Sequence, residues 1–160
     1  FMDESKASER YCKRNGSDCW SDLIIKEKEE DCRYIGQVGS SHWIASFVSL
    51  GIMGEIMCIF PDVFTIDAFT DEHIEQLVSG LIKVFKYYMS TGVFSFNASL
   101  FFGPEDQGYF SSHFRIIPRT FLNTRDFAPD INFFQALLSE SISVMLPERL
   151  CIEVKEFFRA

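Results

Sequence analysis

The chain has 160 residues, 47% of them hydrophobic and 24% charged, with a formal net charge of −8 at pH 7. This balance excludes a disordered or collagen-like chain and fits one domain of ordinary size, or half of a duplicated protein. The negative field also excludes nonspecific nucleic-acid binding, because the only basic cluster is the short run at Lys13 and Arg14; a small anionic ligand stays open, since a few local donors can overcome a net field.

Aromatic residues reach 16%, with 18 Phe, which predicts a phenylalanine-rich core rather than a base-stacking platform, for which a basic groove would be needed. No run of about 18 apolar residues predicts a membrane helix. The polar start Phe1-Met2-Asp3-Glu4-Ser5-Lys6 lacks the apolar stretch of a signal peptide. Phe1 ahead of Met2 reads as a remnant or as an excerpt of a longer chain. The odd set Cys12, Cys19, Cys32, Cys58 and Cys151 predicts reduced thiols and a cytoplasmic location. Cys58 and Cys151 fall in apolar runs and read as core. Cys12, Cys19 and Cys32 could form a three-thiolate site, although their spacing is not that of a zinc knuckle.

In chain order, residues 1–32 read as a charged N-terminal segment and residues 33–160 as an α+β domain, a single domain overall. Leu23-Ile24-Ile25 followed by Lys26-Glu27-Lys28-Glu29-Glu30 reads as a solvated helix end. Arg33 to Val38, His42 to Ser49 and Glu55 to Phe60 read as three strands of an antiparallel meander, broken by Gly39-Ser40-Ser41, Gly51 to Gly54 and Pro61. Thr70-Asp71-Glu72 opens a long helix whose expected buried stripe is Ile74, Leu77, Val78, Leu81, Phe85 and Tyr88, stopped by Gly92. Val93 to Phe102 and Tyr109 to Ile117 read as fourth and fifth strands around the loop Gly103 to Gly108. Residues 120–130 read as irregular. Helices are expected over Phe133 to Met145 and Leu150 to Phe158, with Pro147 in the first turn of the last.

The fourth and fifth strands carry the informative polar residues. Side chains alternate along a strand, so Ser95, Asn97 and Ser99 share one face and Ser111, His113 and Arg115 share another. The opposite face of the fourth strand, Phe94, Phe96, Ala98 and Leu100, reads as core. If the strands pair, Asn97 and Ser99 lie beside His113 and Arg115, with Gln107 at the rim. Such a face suits a phosphate-bearing ligand: Arg115 offers a bidentate contact, the amide and hydroxyls donate, and His113 could act as nucleophile, acid/base or metal ligand. The alternative is an ordinary polar sheet face.

Ser111-Ser112-His113-Phe114-Arg115-Ile116-Ile117-Pro118-Arg119 resembles a degenerate histidine-triad signature, in which three His alternate with apolar residues. Gln107-Gly108 fits the approach to that strand, and Asn97 in Phe96-Asn97-Ala98-Ser99 resembles the family's nucleotide-site asparagine. Ile116-Ile117-Pro118-Arg119 and Pro147-Glu148-Arg149 are similar to the galactose-1-phosphate uridylyltransferase branch, and the order of elements to one half of such a protein. The resemblance spans roughly residues 33–160. It implies an α+β fold with an antiparallel sheet of about five strands, one long central helix and C-terminal helices. It also implies a nucleotidyltransferase or hydrolase acting on a nucleotide or sugar phosphate. His113 would be the nucleophile, and Asn97, Ser99, Gln107, Ser111 and Arg115 would hold phosphates. A homodimer is a further implication.

Ser111 and Arg115 stand where the family has its first and third histidines, and the zinc-binding Cys-x-x-Cys is absent. The second reading is therefore a catalytically degenerate nucleotide-binding or structural partner module of the same fold. An unrelated phenylalanine-rich domain is a third. No firm metal-site signature emerges. His73 reads as an exposed helix residue, while His42, His113 and Glu55 would make a metal site only if the sheet curled to bring them together.

Overall fold

The computed structural model describes residues 2–51, 53–103, 108–119 and 143–159. Two helices come first, α1 (Met2–Asn15) and α2 (Cys19–Glu30), then β1 (Tyr34–Val38), β2 (Ser41–Ala45) and β3 (Ile56–Phe60). The long helix α3 (Asp71–Ser90), β4 (Phe96–Phe101), β5 (Ser112–Pro118) and α4 (Pro147–Arg159) follow. The strands form one antiparallel sheet in the order β1-β2-β3-β5-β4. The architecture is α+β, with the meander, long helix and terminal helix that the sequence predicts. The predicted irregular stretch 120–130 and most of the helix expected over Phe133 to Met145 lie outside the described residues.

Local chemistry sets the element ends. Asp18 caps α2 by accepting from the Ser21 amide, and Asp31 closes it in the left-handed region at φ 50°. At α3 the Thr70 amide donates to His73 Nδ1 at 3.0 Å, so His73 helps to cap the helix. Pro147 opens α4, where a missing N–H costs nothing.

Both sheet faces are covered. On one, Ile35, Trp43, Cys58, Phe60 and Ile116 pack against α3 and α4 with Val84, Tyr88, Leu150, Cys151 and Val154. On the other, Ile44, Met57 and Ile59 pack against Trp20 and Ile24 of α2. The solvated helix end expected at Lys26 to Glu30 is solvated on one side only: Lys26, Lys28, Glu29 and Glu30 are exposed, whereas the other side of α2 is buried. Trp20 and Ile24 turn to the sheet with buried Glu27, while Ile25 is exposed, and Glu27 accepts from the Arg33 guanidinium at 2.7 Å.

Two expected faces are corrected. On α3 the buried residues are Leu77, Gly80, Val84, Tyr87 and Tyr88, while Ile74 and Val78 are each 48% exposed. The helix is rotated because Gly80 lets it settle on the Trp43 indole. β4 is an edge strand, so Phe96 and Ala98 are exposed rather than core.

A Cβ on Gly80 would lie 2.1 Å from the Trp43 ring, which is fully buried, bonded to Ser41 Oγ at 3.2 Å and packed on Phe158. Gly80→Ala should therefore destabilise the fold by about 1–3 kcal/mol, against the ~1 kcal/mol by which Ala favours a helix. The check is a lower urea midpoint with an unchanged m value; a raised midpoint would show that Trp43 has room to move.

Candidate functional site

The β4–β5 register pairs Ser99 with Arg115, Asn97 with Ile117 and Phe101 with His113. With the period of two, Asn97, Ser99, Phe101, His113, Arg115 and Ile117 share one face. Asn97, Ser99 and Arg115 line a hollow of about 140 Å³ together with Leu50, Ala98, Phe101 and Ile117. The structure thus brings together three of the predicted residues. Gln107 lies outside the described residues.

Ser111 and His113 are placed differently, because α2 covers their end of the face. Ser111 is fully buried and its hydroxyl donates to Asp18 Oδ2 at 2.5 Å. His113 has no exposed surface. Its ring lies between Trp20, at a centroid distance of 4.2 Å, and Phe101, stacked at 5.0 Å, with Phe110 at 5.2 Å. Nδ1 is 3.1 Å from the Ser111 carbonyl oxygen, which can only accept, so Nδ1 carries the proton. Nε2 then presents a lone pair; it has no hydrogen-bond partner, and Glu4 Oε1 stands 3.9 Å away. Burial holds the imidazole down to about 4; the Ser111 carbonyl opposes this and the Arg115 charge adds to it.

Arg115 is bound on two sides. Its Nε donates to Glu55, whose side chain is wholly buried and also accepts from the Leu50 amide at 2.9 Å. One terminal nitrogen donates to Glu4 Oε1 at 3.2 Å. The guanidinium therefore faces two carboxylates, one from the β3 approach and one from α1. Glu4, Asp18 and Trp20 are the site residues that sequence reasoning missed. The one available signal was the N-cap pattern Asp18-Cys19-Trp20-Ser21 ahead of Leu23-Ile24.

Neither metal reading is supported by this geometry. Among the described residues no three His, Cys, Asp or Glu side chains converge as a metal site. His42 is held at Nδ1 by the Tyr34 hydroxyl at 2.8 Å, and Glu55 is taken by Arg115. Cys19 donates to Ser8, and Cys32 to the Glu30 carbonyl. A larger cavity, about 720 Å³, lies where the end of α3, the approach to β4 and α4 meet; Ser95 lines it, but Asn97, Ser99, Ser111, His113 and Arg115 do not.

Two solved uridylyltransferase structures superpose on this fold. One, of a uridylyltransferase mutant, has a TM-score of 0.78 at 18% identity and covers 99% of this chain and 52% of its own. The other has a TM-score of 0.77 at 16% identity and covers 99% and 50%. The fold is uridylyltransferase-like. The match takes in nearly the whole chain, α1 and α2 included. An uncharacterized protein of Archaeoglobus fulgidus is 26% identical over 144 residues, which is 90% of this chain and 42% of that protein. The chain thus spans about half the length, or less, of the proteins it matches. No protein-family model matches it. Among the described residues no helix is long and apolar enough to cross a membrane.

Proposed function

We propose that this chain is a histidine-triad-like half of a nucleotidyltransferase-type protein, one that holds a phosphoryl group of a nucleotide or sugar phosphate without attacking it. One observation carries this reading: His113 is sealed between Trp20 and Phe101 while Arg115, Ser99 and Asn97 still line a hollow. In-line attack needs the imidazole in contact with phosphorus, and no path of that kind leads to Nε2 from solvent. Arg115 can neutralise equatorial oxygen charge, with Asn97 and Ser99 as donors beside it. Ser111, tied to Asp18, serves the cover of the site rather than the phosphate.

A second reading keeps His113 as a nucleophile. It is favoured by the tautomer, since Nε2 holds the free lone pair that attack requires. That reading demands withdrawal of both Glu4 and Trp20.

Incubation with UDP-sugars, UMP, AMP and GMP should leave the intact mass unchanged. Inorganic phosphate or UMP at high concentration should raise Tm by mass action. A nucleotidyl adduct that vanishes in His113→Ala would replace the first reading with the second.

A further inference from the structure

We propose that α1 is a displaceable anionic latch on this phosphate seat: the Glu4 carboxylate competes for the Arg115 guanidinium with an incoming phosphoryl group, and α1 withdraws when the group binds. The inference rests on the reading of Arg115 as an anion-binding residue and adds its regulation.

The two carboxylates on Arg115 are not equivalent. Glu55 is fully buried and pinned by the Leu50 amide, so it fixes the guanidinium through Nε and cannot leave. Glu4 has a quarter of its side chain in water and sits on a helix with no buried apolar side chain from residue 4 onward. Ser8 is the one residue buried over that stretch. It accepts from Cys19 at 3.4 Å, and Tyr11 donates to Asp22 at 3.0 Å. These polar ties are weak when water can replace them. α2 is different, being anchored by Trp20, Ile24 and Glu27.

Between the two helices Gly16 stands at φ +75°, and no atom lies within 4 Å of where its Cβ would be. A left-handed glycine in open space can swing one helix without disturbing the other. Glu4 also gains nothing from His113, because the Nε2 lone pair and the carboxylate oxygen are both acceptors, 3.9 Å apart.

With Glu4 in place, Arg115 is over-neutralised and an anion meets net repulsion. Without it, the guanidinium keeps Glu55 on Nε and turns free terminal N–H groups to the hollow shared with Ser99 and Asn97. At about 140 Å³ that hollow is small beside the roughly 300–1,000 Å³ of a whole-ligand pocket. It fits a phosphoryl group, free or at the end of a larger ligand.

The test is calorimetry on the full chain with inorganic phosphate and, separately, UMP, using the wild type, Glu4→Gln and Ser99→Asp. Ser99 is exposed on the edge strand, so Ser99→Asp should fold and set a fixed carboxylate across from Arg115. Glu4→Gln should bind about tenfold tighter than wild type and Ser99→Asp should lose binding. Hydrogen exchange in the wild type should show α1, and not α2, losing protection as ligand is added. Equal affinities in wild type and Glu4→Gln, with loss in Ser99→Asp, would overturn the latch and leave the anion site standing. No binding by any of the three, Glu4→Gln included, would overturn both. Tighter UMP than phosphate binding, with the Glu4→Gln gain kept for both, would support the latch and identify a nucleotide as the bearer of the phosphoryl group.

Discussion

Glu55→Ala should lower the unfolding free energy by about 3 kcal/mol in denaturant titration. Glu55 is wholly buried, and its carboxylate satisfies both the Arg115 Nε–H and the Leu50 amide. Removing one member of such a pair leaves a charge and an amide donor without their partner. The expected loss is at the low end for buried pairs because Arg115 is 17% exposed and keeps Glu4. The double variant Glu55→Leu/Arg115→Met should recover most of it, since no charge is then stranded in the core. A single variant as stable as wild type would show that Glu55 is hydrated in solution. The rigid half of the Arg115 clamp, on which the latch depends, would then be missing.

Acid should destabilise the protein through its buried histidines, and His113→Phe should flatten that response. Both His113 and His42 are held down to about 4, each chiefly by burial. Between about pH 4 and 6.5 the unfolded chain therefore binds protons that the folded chain does not. Their contribution is complete above about pH 6.5 and is lost as pH falls toward 4, on the order of 3 kcal/mol for each. Phe at position 113 cannot titrate, and it would sit among Trp20, Phe101 and Phe110 without an unpartnered nitrogen. Urea midpoints at pH 7 and pH 5 should thus lie closer together in His113→Phe, with the His42 share remaining. An unchanged gap would mean that His113 is hydrated in solution. The cover by Trp20 would then be open, and the nucleophile reading would gain ground.

The same residues explain why one half of the site was legible in the sequence and the other was not. That Asn97 and Ser99 share one face, and His113 and Arg115 another, follows from alternation along each strand, a local rule that needs no knowledge of the rest of the chain; the structure pairs Ser99 with Arg115. The cover of that face could not be found in this way. Glu4 reaches Arg115 across 111 residues and Asp18 reaches Ser111 across 93, through a segment whose charge density reads as solvent-facing. Trp20 and Ile24 are too few to form a conspicuous stripe, yet at a spacing of four they share one helix face and are sufficient to bind it to Ile44, Met57 and Ile59. The Glu55 role was also hidden: a carboxylate before an apolar strand fits a metal ligand, an exposed residue or an arginine partner equally well.

Composition, strand alternation, the Thr70 cap and Pro147 by themselves determined the α+β class, the meander, the long helix and which polar side chains share a strand face, because each depends on backbone geometry over a few residues. Tertiary structure alone decided that β4 is an edge, that α3 turns on Gly80, and that His113 is enclosed while Arg115 is clamped. Those outcomes depend on which surfaces meet, and desolvation, which sets the chemistry of an imidazole or a guanidinium, arises only when they do.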